Sequence, residues 1–110
     1  MTNATITIDN NELTTLAADW LDAVESIPNE NLYSKMEVRE ETMRLWNLLR
    51  YNSDIHRNGD VSIVVTSDAI MSKSKAYAMF VHSLPQNVSN RFNSKFENFW
   101  DAICNHMVLK

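Results

Sequence analysis

The chain has 110 residues, of which 45% are hydrophobic and 22% charged, and it carries a formal net charge of −4. Such a length and apolar content can build one domain around its own core without metal or disulfide staples, and they argue against a disordered chain, which would have fewer apolar residues and a larger net charge. The single glycine, Gly59, excludes glycine-rich phosphate loops, and the single cysteine, Cys104, excludes an internal disulfide.

The start of the chain, Met1 to Ala4, shows no basic region leading into an apolar run, so no signal peptide is expected. No apolar run approaches the roughly 20 residues that span a bilayer. These features predict a soluble, cytoplasmic, single compact domain over 1–110 with no membrane partner.

Thr5-Ile6-Thr7-Ile8 alternates polar and β-branched apolar residues, the period of a half-buried strand. Asp9 and Glu12 then stand at a capping-box spacing, with Ile8 and Leu13 in the staple positions. The stripe Leu13, Leu16, Ala17, Trp20, Val24 and Ile27 predicts a helix over 10–27, which Pro28 ends. A second capping box, Ser34 and Glu37 with Tyr33 and Val38 as its staple, predicts a helix over 35–52. Its broad apolar face of Val38, Leu45, Leu49, Met43, Trp46 and Leu48 predicts cover on two sides. Glu40 and Arg44 form a favourably ordered surface pair.

Asn58-Gly59 suits a two-residue type I′ turn, which would pair Ile55-His56-Arg57 with Val61–Thr66 in a hairpin. The alternative is that Gly59 only closes the preceding helix. Val61 to Thr66 is rich in Val and Ile and predicts a strand on either reading. Ser67 is the expected N-cap of a third helix, 67–84, whose face carries Ile70, Tyr77, Val81 and Leu84. Beyond Pro85, the stripe Val88, Phe92, Phe96, Phe99, Ile103 and Met107 predicts one helix over 87–107. The expected fold is α+β and mostly helical, four helices packed with a two- or three-stranded ribbon. The aromatic stripe centres the core.

Signals for chemistry are sparse. His56, His82 and His106 match no metal-ligand spacing, and the reading is one partly buried and two surface histidines. Cys104, beside Ile103, is expected to be a small buried hydrophobe. No GxSxG elbow is present, and the paired carboxylates Glu40-Glu41 and Asp19-Asp22 fall on solvent faces. The chain is therefore read as a non-enzyme without metal or cofactor.

Charge is distributed unevenly. Residues 1–30 hold six acids and no Lys or Arg, a formal −6, whereas 31–110 hold eight acids and ten bases, a formal +2. On the first helix Glu12, Thr15, Asp19, Asp22 and Ser26 share a face, with Glu25 flanking. Such a row suits docking on a protein partner with a basic surface; the plain alternative is a solvated helix face. Lys73, Lys75, Arg91 and Lys95 form the opposing candidate, a nucleic-acid interface, with Arg91 and Lys95 sharing a helix face. The net acidity of the chain weighs against it. Trp100 is the candidate interface aromatic at the edge of the core.

The leading expectation is a small acidic protein-binding module acting as regulator or inhibitor by occlusion or charge mimicry. A nucleic-acid-binding regulator is second, and a homo-oligomeric structural protein, such as a homodimer, is third. Size, acidity and the absence of catalytic motifs are shared with the small inhibitors that phages direct against host complexes. That is an analogy of type, with no motif in common.

Overall fold

The computed structural model describes residues 2–110. In chain order they form strand β1 (Asn3–Asp9), helix α1 (Asn10–Glu25), a 3-10 turn (Asn29–Asn31), α2 (Leu32–Arg50), β2 (Ser53–Ile55), β3 (Asp60–Thr66), α3 (Ser67–Ser83), the single turn α4 (Gln86–Ser89), α5 (Asn93–Asn105) and β4 (Met107–Leu109). The α+β, mostly helical class expected from the sequence is the one observed.

The strands make one antiparallel sheet in the order β2-β3-β1-β4. Its sidedness follows from the two-residue period of the sequence. Ala4, Ile6, Ile8, Val61, Ile63 and Val65 are buried against the helices, while Thr7 and Val64 on the other face are exposed. β1 is central because β4 pairs with its second edge, Ile6 opposite Met107 and Ala4 opposite Leu109. The ribbon is thus four-stranded, where the sequence pattern suggested two or three strands.

Beneath the sheet one contiguous core draws on every long element. Trp20 of α1 is fully buried, stacked on Phe99 with centroids 4.9 Å apart and edge-on to Tyr77 at 5.7 Å. Its indole N–H donates to the Tyr77 hydroxyl at 3.2 Å, and the Thr42 hydroxyl lies 2.8 Å from the same oxygen. The aromatic stripe is therefore core, meeting the stripe of α1.

Several local expectations are corrected. α1 ends at Glu25, with Ser26 as its C-cap, although Ile27 is still buried beyond it. α2 begins at Leu32, inside which Ser34 cannot cap. Pro28 sets up the 3-10 turn, its carbonyl accepting from Asn31 N–H at 2.9 Å, and that turn runs straight into the helix. Tyr33 points to solvent, 87% exposed, so no staple forms with buried Val38. α3 is capped by Thr66, one residue earlier than Ser67, its hydroxyl accepting from Ala69 N–H at 3.2 Å.

The hairpin exists, but with a different turn. Ser53–Ile55 pairs with β3, Ile55 opposite Val61, and His56 N–H donates to Asp60 O at 2.8 Å. Among the described residues only Gly59 has positive φ, +92°, so the type I′ turn, which needs positive φ at both central residues, is replaced by the three-residue loop Arg57-Asn58-Gly59.

The long C-terminal helix is broken at Asn90–Phe92. Phe92 adopts φ −132°, ψ −15°, yet its carbonyl still accepts from Phe96 N–H at 3.0 Å. Val88, Phe92, Phe96, Phe99 and Ile103 consequently all stay buried across the break. Met107 belongs to β4, not to the helix, because the free edge of β1 offers the chain a ladder of backbone partners.

Candidate partner-binding surfaces

Helix α1 is held rigidly. The Asp9 side chain accepts from Glu12 N–H at 3.1 Å, and Leu13, Ala17, Trp20 and Val24 are buried. Its outward ridge is left with Thr15, Asp19, Asp22 and Ser26, all exposed. Glu12, which its spacing put in the row, and the flanking Glu25 are both drawn to bases on other elements. Glu25 makes a two-pronged ion pair with Arg39 of α2, both contacts at 2.8 Å, and Glu12 stands 3.7 Å from the His106 imidazole beyond α5. The Arg39 hydrogen bonds hold the Glu25 carboxyl below the usual range, with a smaller opposing effect of burial. Among the described residues Asp19 and Asp22 have no cation within ion-pair distance.

The four candidate cations are exposed but do not converge. Lys73 and Lys75 are two residues apart on α3 and so point about 200° from one another around its axis. Arg91 falls in the link before Phe92, so it does not share a helix face with Lys95 as the sequence suggested. On α5, Lys95 lies about 100° to one side of Phe96 and Trp100 about 40° to the other. α4 is a single turn, so the two elements on either side of Pro85 do not have helix-turn-helix proportions.

Lys75 does border a cleft between α3 and α5. The cleft measures about 510 Å³ and is walled by Met71, Ala78, Phe96 and Trp100. It adjoins a second, more polar space of about 520 Å³ that shares Ala78 and Phe96 and reaches His82, Asn93 and Glu97. Trp100 is half-buried at its mouth, its ring 6.1 Å from that of Phe96, as expected of an edge aromatic.

His106 is half-buried, whereas His56 and His82 are exposed, in line with their sequence context. His56 Nε2 meets the Ser62 hydroxyl at 2.8 Å on the open face of the sheet. Cys104 is a correction: it is exposed, because Phe99 and Ile103 take the inward side of α5 and turn it outward. Partial burial, and to a lesser degree Asp101, push its thiol up. Among the described residues no group of three or more His, Cys, Asp or Glu is placed to hold a metal ion. No helix there is long and apolar enough to cross a membrane.

One surface had no motif to announce it. Under β2 lies an apolar cleft of about 230 Å³ lined by Leu13, Trp46, Leu49, Ile55 and Ile63. Arg50 lines it too, bonded to Asn47 Oδ1 at 2.8 Å, its guanidinium 4.8 Å from the Tyr51 ring centre. The only sequence signal was the hairpin, which brings Ile55 over the ends of α1 and α2.

Comparison with known proteins returns no matching family model, no matching curated protein and no matching solved structure.

Proposed function

We propose that this chain is a non-enzymatic protein-binding module, a regulator or inhibitor, whose α1 ridge docks on a basic surface of its partner. The observation that carries the reading is the pair Asp19 and Asp22, one turn apart, exposed and without a cation, on a helix fixed by four buried side chains. Carboxylates that are not neutralised within their own molecule are available to an external Lys or Arg. A ridge already rigid in the free protein loses little conformational entropy on docking. Glu12 and Glu25 belong to the margins of this surface, since each already faces a base. The mode of action is occlusion of the basic surface, or mimicry of a polyanion that otherwise occupies it.

Affinity capture with the tagged protein, with and without nuclease, identifies the partner. A stoichiometric protein that survives nuclease is the expected result. Replacing Asp19 and Asp22 together by Asn then weakens that complex by about 2- to 30-fold, from roughly 0.2–1 kcal/mol for each exposed charge pair. The effect fades with salt, since exposed charges are screened over about 10 Å at 0.1 M. Unchanged affinity in a variant with native circular dichroism removes the reading. Recovery that collapses with nuclease transfers the function to nucleic-acid binding.

A further inference from the structure

The free edge of β2 is a second surface, separate from the α1 ridge. Val64 N–H donates to Asn52 O at 3.2 Å and His56 N–H to Asp60 O at 2.8 Å, with Asp54 opposite Ser62 between them. In an antiparallel ladder this phase turns the backbone groups of Asn52, Asp54 and His56 toward β3. The N–H and C=O of Ser53 and Ile55 therefore point to the open edge. Ile55 lies opposite Val61, which puts its side chain on the helix side of the sheet, yet it is 72% exposed because the helices do not cover β2.

Each face of that edge has its own chemistry. On the helix side is the apolar cleft of about 230 Å³ between Ile55 and Trp46. Pockets for whole small molecules run about 300–1,000 Å³, so this one suits a single anchoring side chain. On the open side stands Asp54, with Asp60 as a diagonal neighbour across Ser62 and Asp9 opposite Asp60. Among the described residues none of these three carboxylates has a cation within ion-pair distance.

We propose that β2 accepts an extended strand from a partner protein in which two apolar residues flank a Lys or Arg. The apolar residues exchange backbone hydrogen bonds with Ser53 and Ile55 and turn their side chains to the helix side, one of them into the cleft. The basic residue between them meets Asp54 on the open face. A second copy of this chain paired in the register centred on Asp54 does not fit. Antiparallel pairing of β2 with itself about Asp54 would set that carboxylate against its own symmetry mate, and like charges directly opposite are destabilising.

The test is titration of the 15N-labelled chain with blocked hexapeptides that alternate valine with lysine, valine with glutamate, and N-methylvaline with lysine. The lysine peptide is expected to shift the amides of Ser53 and Ile55 and the indole of Trp46, and to bind at least about 1.5- to 5-fold tighter than the glutamate peptide, since one opposite-charge cross-strand pair gives that factor and the glutamate's like charge adds to it. N-methylation, which removes the strand's donors, abolishes the shifts. Asp54→Lys reverses the order of the two charged peptides, whereas the Asp19→Asn, Asp22→Asn protein behaves as the native one, which separates this site from the α1 ridge. The proposal is overturned by any of four results: no shift at Ser53 and Ile55 at millimolar peptide, equal binding of the N-methylated peptide, an unchanged order with Asp54→Lys, or sedimentation as a dimer held through β2.

Discussion

The Tyr77 hydroxyl lies where three helices meet, taking the Trp20 N–H of α1 at 3.2 Å and standing 2.8 Å from the Thr42 hydroxyl of α2. Burial pushes its pKa up to about 12 from 10.0, against the smaller lowering effects of Thr42 and Trp20. Tyr77→Phe strands two buried polar groups and should cost about 1–3 kcal/mol, seen as a lower urea midpoint at unchanged slope. The pH dependence has a definite sign. Because the folded pKa is the higher one, the unfolded chain loses this proton first, so the contribution is complete below pH 10 and is lost as the pH rises toward about 12. Alkaline unfolding monitored by tryptophan fluorescence should show that decline in the native protein, and Tyr77→Phe should remove its Tyr77 part. The sequence placed Tyr77 on the core face of its helix. Its partners, 35 and 57 residues away, were beyond any local pattern.

At the scale of elements, caps and turns were legible wherever the chemistry is local. Asp9 caps α1 at the position its spacing with Glu12 gave, although the Glu12 carboxylate turns toward His106, and Glu40 pairs with Arg44 at 2.7 Å. The second capping box failed because Pro28 had already begun a turn, and the long aromatic helix failed because periodicity survives a break that keeps Phe92 inward. Among the described residues Gly59 alone has a backbone that demands its identity, at φ +92° with nothing within 4 Å of an added Cβ. Gly59→Ala should therefore cost about 1–2 kcal/mol from backbone strain alone, with no steric part. A urea melt that matches the native protein would contradict the turn described. Thr66→Ala removes the acceptor for Ala69 N–H and should cost about 1 kcal/mol, whereas Ser67→Ala should be nearly neutral; equal losses would return the cap to Ser67.

For the whole molecule, the strand order makes a prediction about protection from hydrogen exchange. Asn10 N–H donates to Gly59 O and Ser67 N–H to Thr2 O, so the amides of Ile6, Ile8, Val61 and Ile63 are bonded between the two central strands. They should exchange slowest, while Ser53 and Ile55 at the β2 edge exchange fast. Slow exchange at Ser53 or Ile55 in the isolated chain would mean that the edge is already occupied. Of the surfaces, the acidic ridge was legible because helical spacing alone groups Glu12, Thr15, Asp19, Asp22 and Ser26, although Glu12 turns to His106. The β2 edge was not, since its cleft is assembled from α1, α2, β2 and β3. Nor could spacing show that Glu25 meets Arg39, or that Arg91 falls in the link and not on the α5 face of Lys95.

What the sequence determined by itself is the class of fold, the core stripes and the acidity of the first helix. Each follows from periods of two or 3.6 residues and from local capping, which operate within a few positions along the chain. The tertiary structure alone decided that Met107–Leu109 closes the sheet beside β1, that Cys104 faces outward, and which carboxylates keep an uncompensated charge. Those outcomes depend on which unpaired backbone edge or charged group lies nearest in space, and only the packing of distant segments around Trp20 and Phe99 sets that.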